Sequence, residues 1–277
     1  GVTHAYASPG SYTVTLTVTD DDGAADTDSL VVVISQAPQV PVVVVSSGDL
    51  GARCALALGP NDLLRVAYLN VVHDQLLLAV ETSTGVWSNL VVDGPGFDLG
   101  GQVGNNFDLA VDSLGQAHLA YQYDSAIGSV RYARWNGTSF LREIANPSGS
   151  NVAYSTSQLG IALDPANGQR PTIVYTRDNP SNSDDEPTVA WRSTAGVWTE
   201  AVYPNGANYD DTGGGLAFDS AGLLRLTFGQ YAASVLPWSA ASGFGAPSLT
   251  PETNYSSVQR LALDSLQQPI VMTDTLA

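Results

Sequence analysis

Aromatic rings and carboxylates share the longest, least repetitive stretches of this 277-residue chain. Residues 94–106 hold Phe97 and Asp98, residues 146–157 hold Tyr154, residues 204–214 hold Tyr209, Asp210 and Asp211, and residues 250–257 hold Tyr255. Residues 178–187 add Asp178, Asp184, Asp185 and Glu186, and Asp124 closes the run Tyr121-Gln122-Tyr123. A ring face beside carboxylates and Asn amides suits a sugar, which offers an apolar C–H face together with hydroxyl donors. The same residues equally suit a solvated loop surface. The candidate ligand-binding set is therefore Phe97, Asp98, Asp124, Tyr154, Asp178, Tyr209, Asp210 and Tyr255, with a solvated surface as the alternative reading.

Other chemistry has little support. His4, His73 and His118 fall in unlike contexts, with neither H-x-x-x-H nor C-x-x-C spacing, so no transition-metal site is expected. Cys54 is the single cysteine, which rules out an internal disulfide; it reads as a small core residue. No glycine-rich phosphate loop precedes a helical pattern, and no cofactor is expected. The formal net charge is −17 and all ten cations are arginine. That excludes a general binder of phosphate backbones and disfavours an anionic membrane surface. No apolar run is long enough to span a bilayer.

The elements that must position these residues repeat. LAVDSLGQAHLAY starts at Leu109, and related segments start at Leu56, Ile161, Leu216 and Leu261. A period of about fifty residues with several short strands per unit signals a propeller. In the second copy, strands are expected at 109–112, 117–123, 130–135 and 140–145, with Asn136-Gly137 as a hairpin turn. Four antiparallel strands joined by short turns make one blade. The expected architecture is all-β: four whole blades and part of a fifth across residues 42–277. Val42–Val45 would serve as an outer strand.

Asp112, Asp164, Asp219 and Asp264 recur at one turn, which points to side chains capping their own backbone. A Gly followed by an aromatic recurs as Gly85/Trp87, Gly196/Trp198 and Gly243/Phe244; these rings read as packing that covers the blade's outer edge. His118 stands where Arg65 and Arg225 stand in sister copies and reads as a general polar strand position. Antiparallel order places the first-to-second and third-to-fourth turns on one face. The long, dissimilar stretches fall on the other, which is the face expected to bind.

Residues 12–19, YTVTLTVT, alternate without interruption and predict a half-buried strand; Asp20-Asp21-Asp22-Gly23 supplies a turn and residues 30–34 the return. Together with His4-Ala5-Tyr6 and Pro9-Gly10, residues 1–35 resemble the second half of a polycystic-kidney-disease-type (PKD) domain, an immunoglobulin-like β-sandwich common in secreted and cell-surface proteins. The family's Trp-x-Phe-Gly-Asp-Gly segment has no counterpart, so a truncated sandwich is expected. Residues 36–41 read as a linker. Calcium could bind Asp20, Asp21 and Asp22, although an Asp-rich turn accounts for them.

The fifty-residue repeat resembles the propeller repeats of bacterial secreted proteins, loosely grouped with sialidase-type propellers. That resemblance is specific for fold and unspecific for activity; together with the PKD resemblance and the negative charge it leads to the expectation of an extracellular or cell-surface module that binds glycan or protein without catalysis. One alternative is an exo-glycosidase of sialidase type, which needs an arginine triad, a Tyr–Glu pair and an Asp acid. Arg53, Arg177 and Arg260 are the available arginines on the long-stretch side, and Glu81, Glu143 and Glu200 lie in or near strands. The other alternative is an architectural spacer.

Overall fold

A computed structural model describes residues 10–19, 21–34, 50–97, 102–124, 128–147, 159–178, 185–203, 215–228, 234–249 and 259–273. The chain divides into two compact units, residues 1–43 and 44–277.

In the first unit, β1 (Gly10–Thr19) and β2 (Ala25–Ile34) form an antiparallel hairpin. The register sets Tyr12 against Val32 and Val14 against Leu30, so the alternating apolar side chains share one face. Asp21 and Asp22 are exposed in the turn; Asp20 lies outside the described residues.

The second unit is a succession of antiparallel sheets. The first comprises β3 (Leu50–Leu58), β4 (Leu64–Asn70), β5 (Gln75–Ser83) and β6 (Val86–Asp93). The second comprises β7 (Gln102–Val111), β8 (Ala117–Asp124), β9 (Ser129–Trp135) and β10 (Phe140–Ile144). The third comprises β11 (Gly160–Asp164), β12 (Arg170–Asp178), β13 (Asp185–Arg192) and β14 (Trp198–Val202). The fourth contains β15 (Leu216–Phe218), β16 (Leu224–Phe228), β17 (Ser234–Ser239) and β18 (Gly243–Phe244), with β19 (Ser248–Leu249) also on β17. Finally β20 (Gln259–Leu263) pairs with β21 (Pro269–Thr273). These are the blades and the partial fifth blade that the repeat predicts. Val42–Val45 lies outside the described residues.

The second and third sheets bury apolar side chains on both faces, so each is stabilised by a neighbour on either side. Successive first strands pack together: β3 on β7, β7 on β11, β11 on β15 and β15 on β20. The three cores lie in the junctions. Leu76, Leu78, Leu119 and Tyr121 fill the first, Tyr132, Ile173, Tyr175 and Trp198 the second, and Leu224, Leu226, Phe228 and Trp238 the third.

The turn chemistry follows the sequence closely. Asp112 Oδ1 accepts from the N–H of Leu114 and Gln116, Asp219 Oδ1 from Ala221 and Leu223, and Asp264 Oδ1 from Leu266 and Gln268. Gly85, Gly137, Gly196 and Gly243 all take φ between 70° and 99°, which a side chain would resist.

Two expectations need correction. Cys54 is exposed, not a core residue. On β3, Ala55 and Ala57 pack toward the second blade, while Leu56 and Leu58 on the other face are 63% and 58% exposed; among the described residues no strand covers that face. The rings after each glycine also do not simply cover an outer edge. Trp198 turns into the second junction, edge-on to Tyr132 at 5.2 Å, and Phe244 meets Tyr203 at 5.4 Å.

Candidate functional site

A cleft of about 460 Å³ opens between the first and second blades, within the range of small-molecule sites. It opens among the short turns, not among the long stretches. The first blade contributes Pro60 and Leu63 from its β3–β4 turn, Arg65 from β4, Val80, Glu81 and Thr82 from β5, and Ser88 and Leu90 from β6. The second contributes Leu114, Gly115 and Gln116 from its β7–β8 turn, Trp135 from β9, and Asn136 and Gly137.

Strand register explains the placement. Arg65 pairs with Val80, and Trp135 pairs with both Ala117 and Phe140, so the indole leans on the Phe140 ring at 4.8 Å. Arg65 Nη1 donates to the carbonyls of Leu64 and Glu81, each at 3.0 Å, which fixes the guanidinium plane. Burial lowers the Arg65 pKa, and the Glu81 charge opposes that shift. Glu81 accepts from the N–H of Gly85 at 2.7 Å and of Leu64 at 2.9 Å. Those two backbone bonds, Gly85 first, hold its carboxyl below the usual range. Asn136 Oδ1 accepts from the N–H of Thr138 and Ser139 and so shapes the rim. The arrangement offers one aromatic ring, an apolar floor and several fixed polar groups.

A second cavity, about 290 Å³, lies among the innermost strands, lined in part by Cys54, Leu56, Phe107, Asp108, Ile161 and Leu261. Asp108 Oδ2 accepts from Ile161 N at 2.9 Å, tying the second blade to the third.

Of the residues expected to bind ligand, Phe97 lies under the Arg142 guanidinium at 4.7 Å, and Arg142 Nε donates to Val92 O at 2.6 Å. Asp124 and Asp178 end β8 and β12, with backbone partners Gln102 and Asp185. Asp98, Tyr154, Tyr209, Asp210 and Tyr255 lie outside the described residues. Among the exo-glycosidase candidates, Arg53 bonds Asn106, Arg177 pairs with Glu186 at 2.9 Å, and Tyr175 bonds Glu200. Glu143 takes two bonds of 2.7 Å from Arg192 and one of 2.8 Å from Trp198 Nε1.

Two buried networks went unread in the sequence. Asp93, fully buried at the end of β6, accepts from Tyr121 Oη at 2.7 Å and Arg131 Nη1 at 2.9 Å, across the first junction. The Arg131 guanidinium also lies 3.4 Å from the Tyr123 ring centroid. His118 is no general polar position: it is buried, 2.7 Å from Tyr132 Oη and 3.3 Å from Asp112 Oδ2. Its alignment with Arg65 and Arg225 concealed this, because its partners, Asp112 in the β7–β8 turn and Tyr132 on β9, are particular to the second blade.

Residues 1–34 match the PKD domain family. No curated protein sequence matches the chain. Among solved structures, a mutant Aleuria aurantia lectin in complex with Fucα1-6GlcNAc aligns with TM-score 0.53 at 13% identity, over 79% of this chain and 69% of the lectin. An endo-arabinase from Bacteroides thetaiotaomicron aligns with TM-score 0.50 at 11% identity, over 81% of this chain and 94% of the arabinase. At such identities the likeness is one of fold. The second unit is a β-propeller. Its blades are the four-stranded sheets described above, and the cleft lies between two of them.

Proposed function

We propose that the propeller is a non-catalytic carbohydrate-binding module, and that the cleft between the first two blades holds the sugar. The observation that carries this reading is the cleft itself: an indole, Trp135, set beside apolar side chains with Arg65, Gln116 and Asn136 in the same lining. A sugar ring places its C–H face on such an indole and its hydroxyls on the polar rim.

Hydrolysis needs two carboxyl groups flanking the scissile bond, one protonated as acid. Among the described lining residues the cleft has one, Glu81, which backbone N–H groups hold in its charged form. That favours binding over catalysis. The PKD match at residues 1–34, a module typical of extracellular proteins, supports a place outside the cell. Among the described residues no helix is long and apolar enough to cross a membrane.

The test is a glycan array probed with the full chain and with Trp135→Ala. Specific sugar signals that drop about tenfold or more in the variant are expected. A flat array for the folded wild-type chain would favour an architectural spacer.

A further inference from the structure

At the short-turn end of the first three junctions, one third-strand position of the earlier blade and one of the later blade recur at corresponding places in the ladders. One comes from the earlier blade, beside Arg65, His118 or Thr172 in the ladder: Val80, Arg134 or Trp191 respectively. The other comes back from the later blade: Trp135, Arg192 or Trp238. In the third junction Trp191 and Trp238 pack at 4.9 Å with their planes tilted by 54° and leave about 10 Å³. In the second, Arg134 shares a face with buried His118, while Arg192 is tied to Glu143. Among these three junctions the earlier blade's side chain is small in the first alone, and there about 460 Å³ is open in front of an indole.

We infer that this single third-strand position decides whether a junction takes a sugar, and that Val80 is the residue that leaves the first junction open. The inference rests on the carbohydrate reading of the cleft. An indole at position 80 would lie against Trp135 as Trp191 lies against Trp238. It would fill the space a sugar ring needs, and it competes as part of the same molecule, without the entropy cost of association. An arginine there would reproduce the second junction. Both side chains already occur at this place in sister blades, so the fold accommodates them.

The experiment uses the full chain and calorimetric titration with fucosyl, arabinosyl and galactosyl oligosaccharides. Val80→Trp and Val80→Arg are each expected to weaken binding about tenfold or more in chains that still unfold cooperatively on heating, whereas Val80→Ala keeps wild-type affinity within about threefold. Wild-type affinity in both enlarged variants overturns the inference and leaves the carbohydrate reading standing. So does a loss in Val80→Ala equal to that in Val80→Trp, since occlusion would then not be the cause. A folded wild-type chain that binds none of these sugars overturns the reading and the inference together.

Discussion

The first and second blade junctions share one ladder register, yet they spend their polar residues differently. The first keeps its charged pair at the long-stretch end, where Asp93 holds Tyr121 and Arg131, and leaves its short-turn end open around Trp135. The second is tied by Glu143 to Arg192 and Trp198, and the Trp198 ring rests on Tyr132, which ends the chain Asp112–His118–Tyr132 within the second blade. A propeller can therefore leave one end of a junction unpacked when a buried network elsewhere holds the two blades together. Rigidity comes from one set of contacts and a vacant surface from their absence.

The sharpest way to break this contrast is Asp93→Ala. It strands a buried guanidinium, so a loss of about 3–5 kcal/mol is expected in urea unfolding, with the cleft losing its fixed shape. Trp198→Ala attacks the second junction instead. It removes the ring on Tyr132 and a donor to Glu143, and about 3 kcal/mol should be lost in the same measurement. Sugar binding at the first junction should survive Trp198→Ala and fail in Asp93→Ala; equal effects on binding would erase the distinction between the junctions.

Acid should act on the second junction more than the first. Burial lowers the His118 pKa; Asp112 opposes the shift, and Arg134 and Arg192 reinforce it. Tyr132 Oη contacts the imidazole, and Glu143 acts on Tyr132. The folded state thus prefers neutral His118. Below about pH 6.5 the unfolded chain takes up a proton that the folded chain resists, so this contribution is full above that pH and falls as the pH drops toward the lowered folded value. His118→Gln should flatten the dependence of the urea midpoint on pH between about 7 and 5. An unchanged slope would remove His118 from the account. The smallest effect belongs to the turns: Asp219→Ala should cost about 1 kcal/mol, read as a small shift of the thermal midpoint, because it frees the N–H groups of Ala221 and Leu223.

Much of the fold was legible because its signals are local. Alternation in β8, the Asn136-Gly137 turn and the recurrent Asp caps each lie within a few residues, and the structure has them where the pattern put them. Cys54 was misread because, among the described residues, no strand covers its face of β3, and His118 because the side chains that enclose it, Asp112 and Tyr132, are brought to it by the turn and the next strand of its own blade. Trp135 was seen as the end of a strand and not as a platform. Nothing near it in the sequence names Val80, which lies a full repeat earlier.

The sequence by itself determined the repeat, the four-strand unit and the short turns, because period-two alternation and turn chemistry act over a few bonds. Only the tertiary structure decided which junction closes and which stays open. That outcome depends on the summed volume of side chains brought together from separate blades, and no single repeat contains that sum.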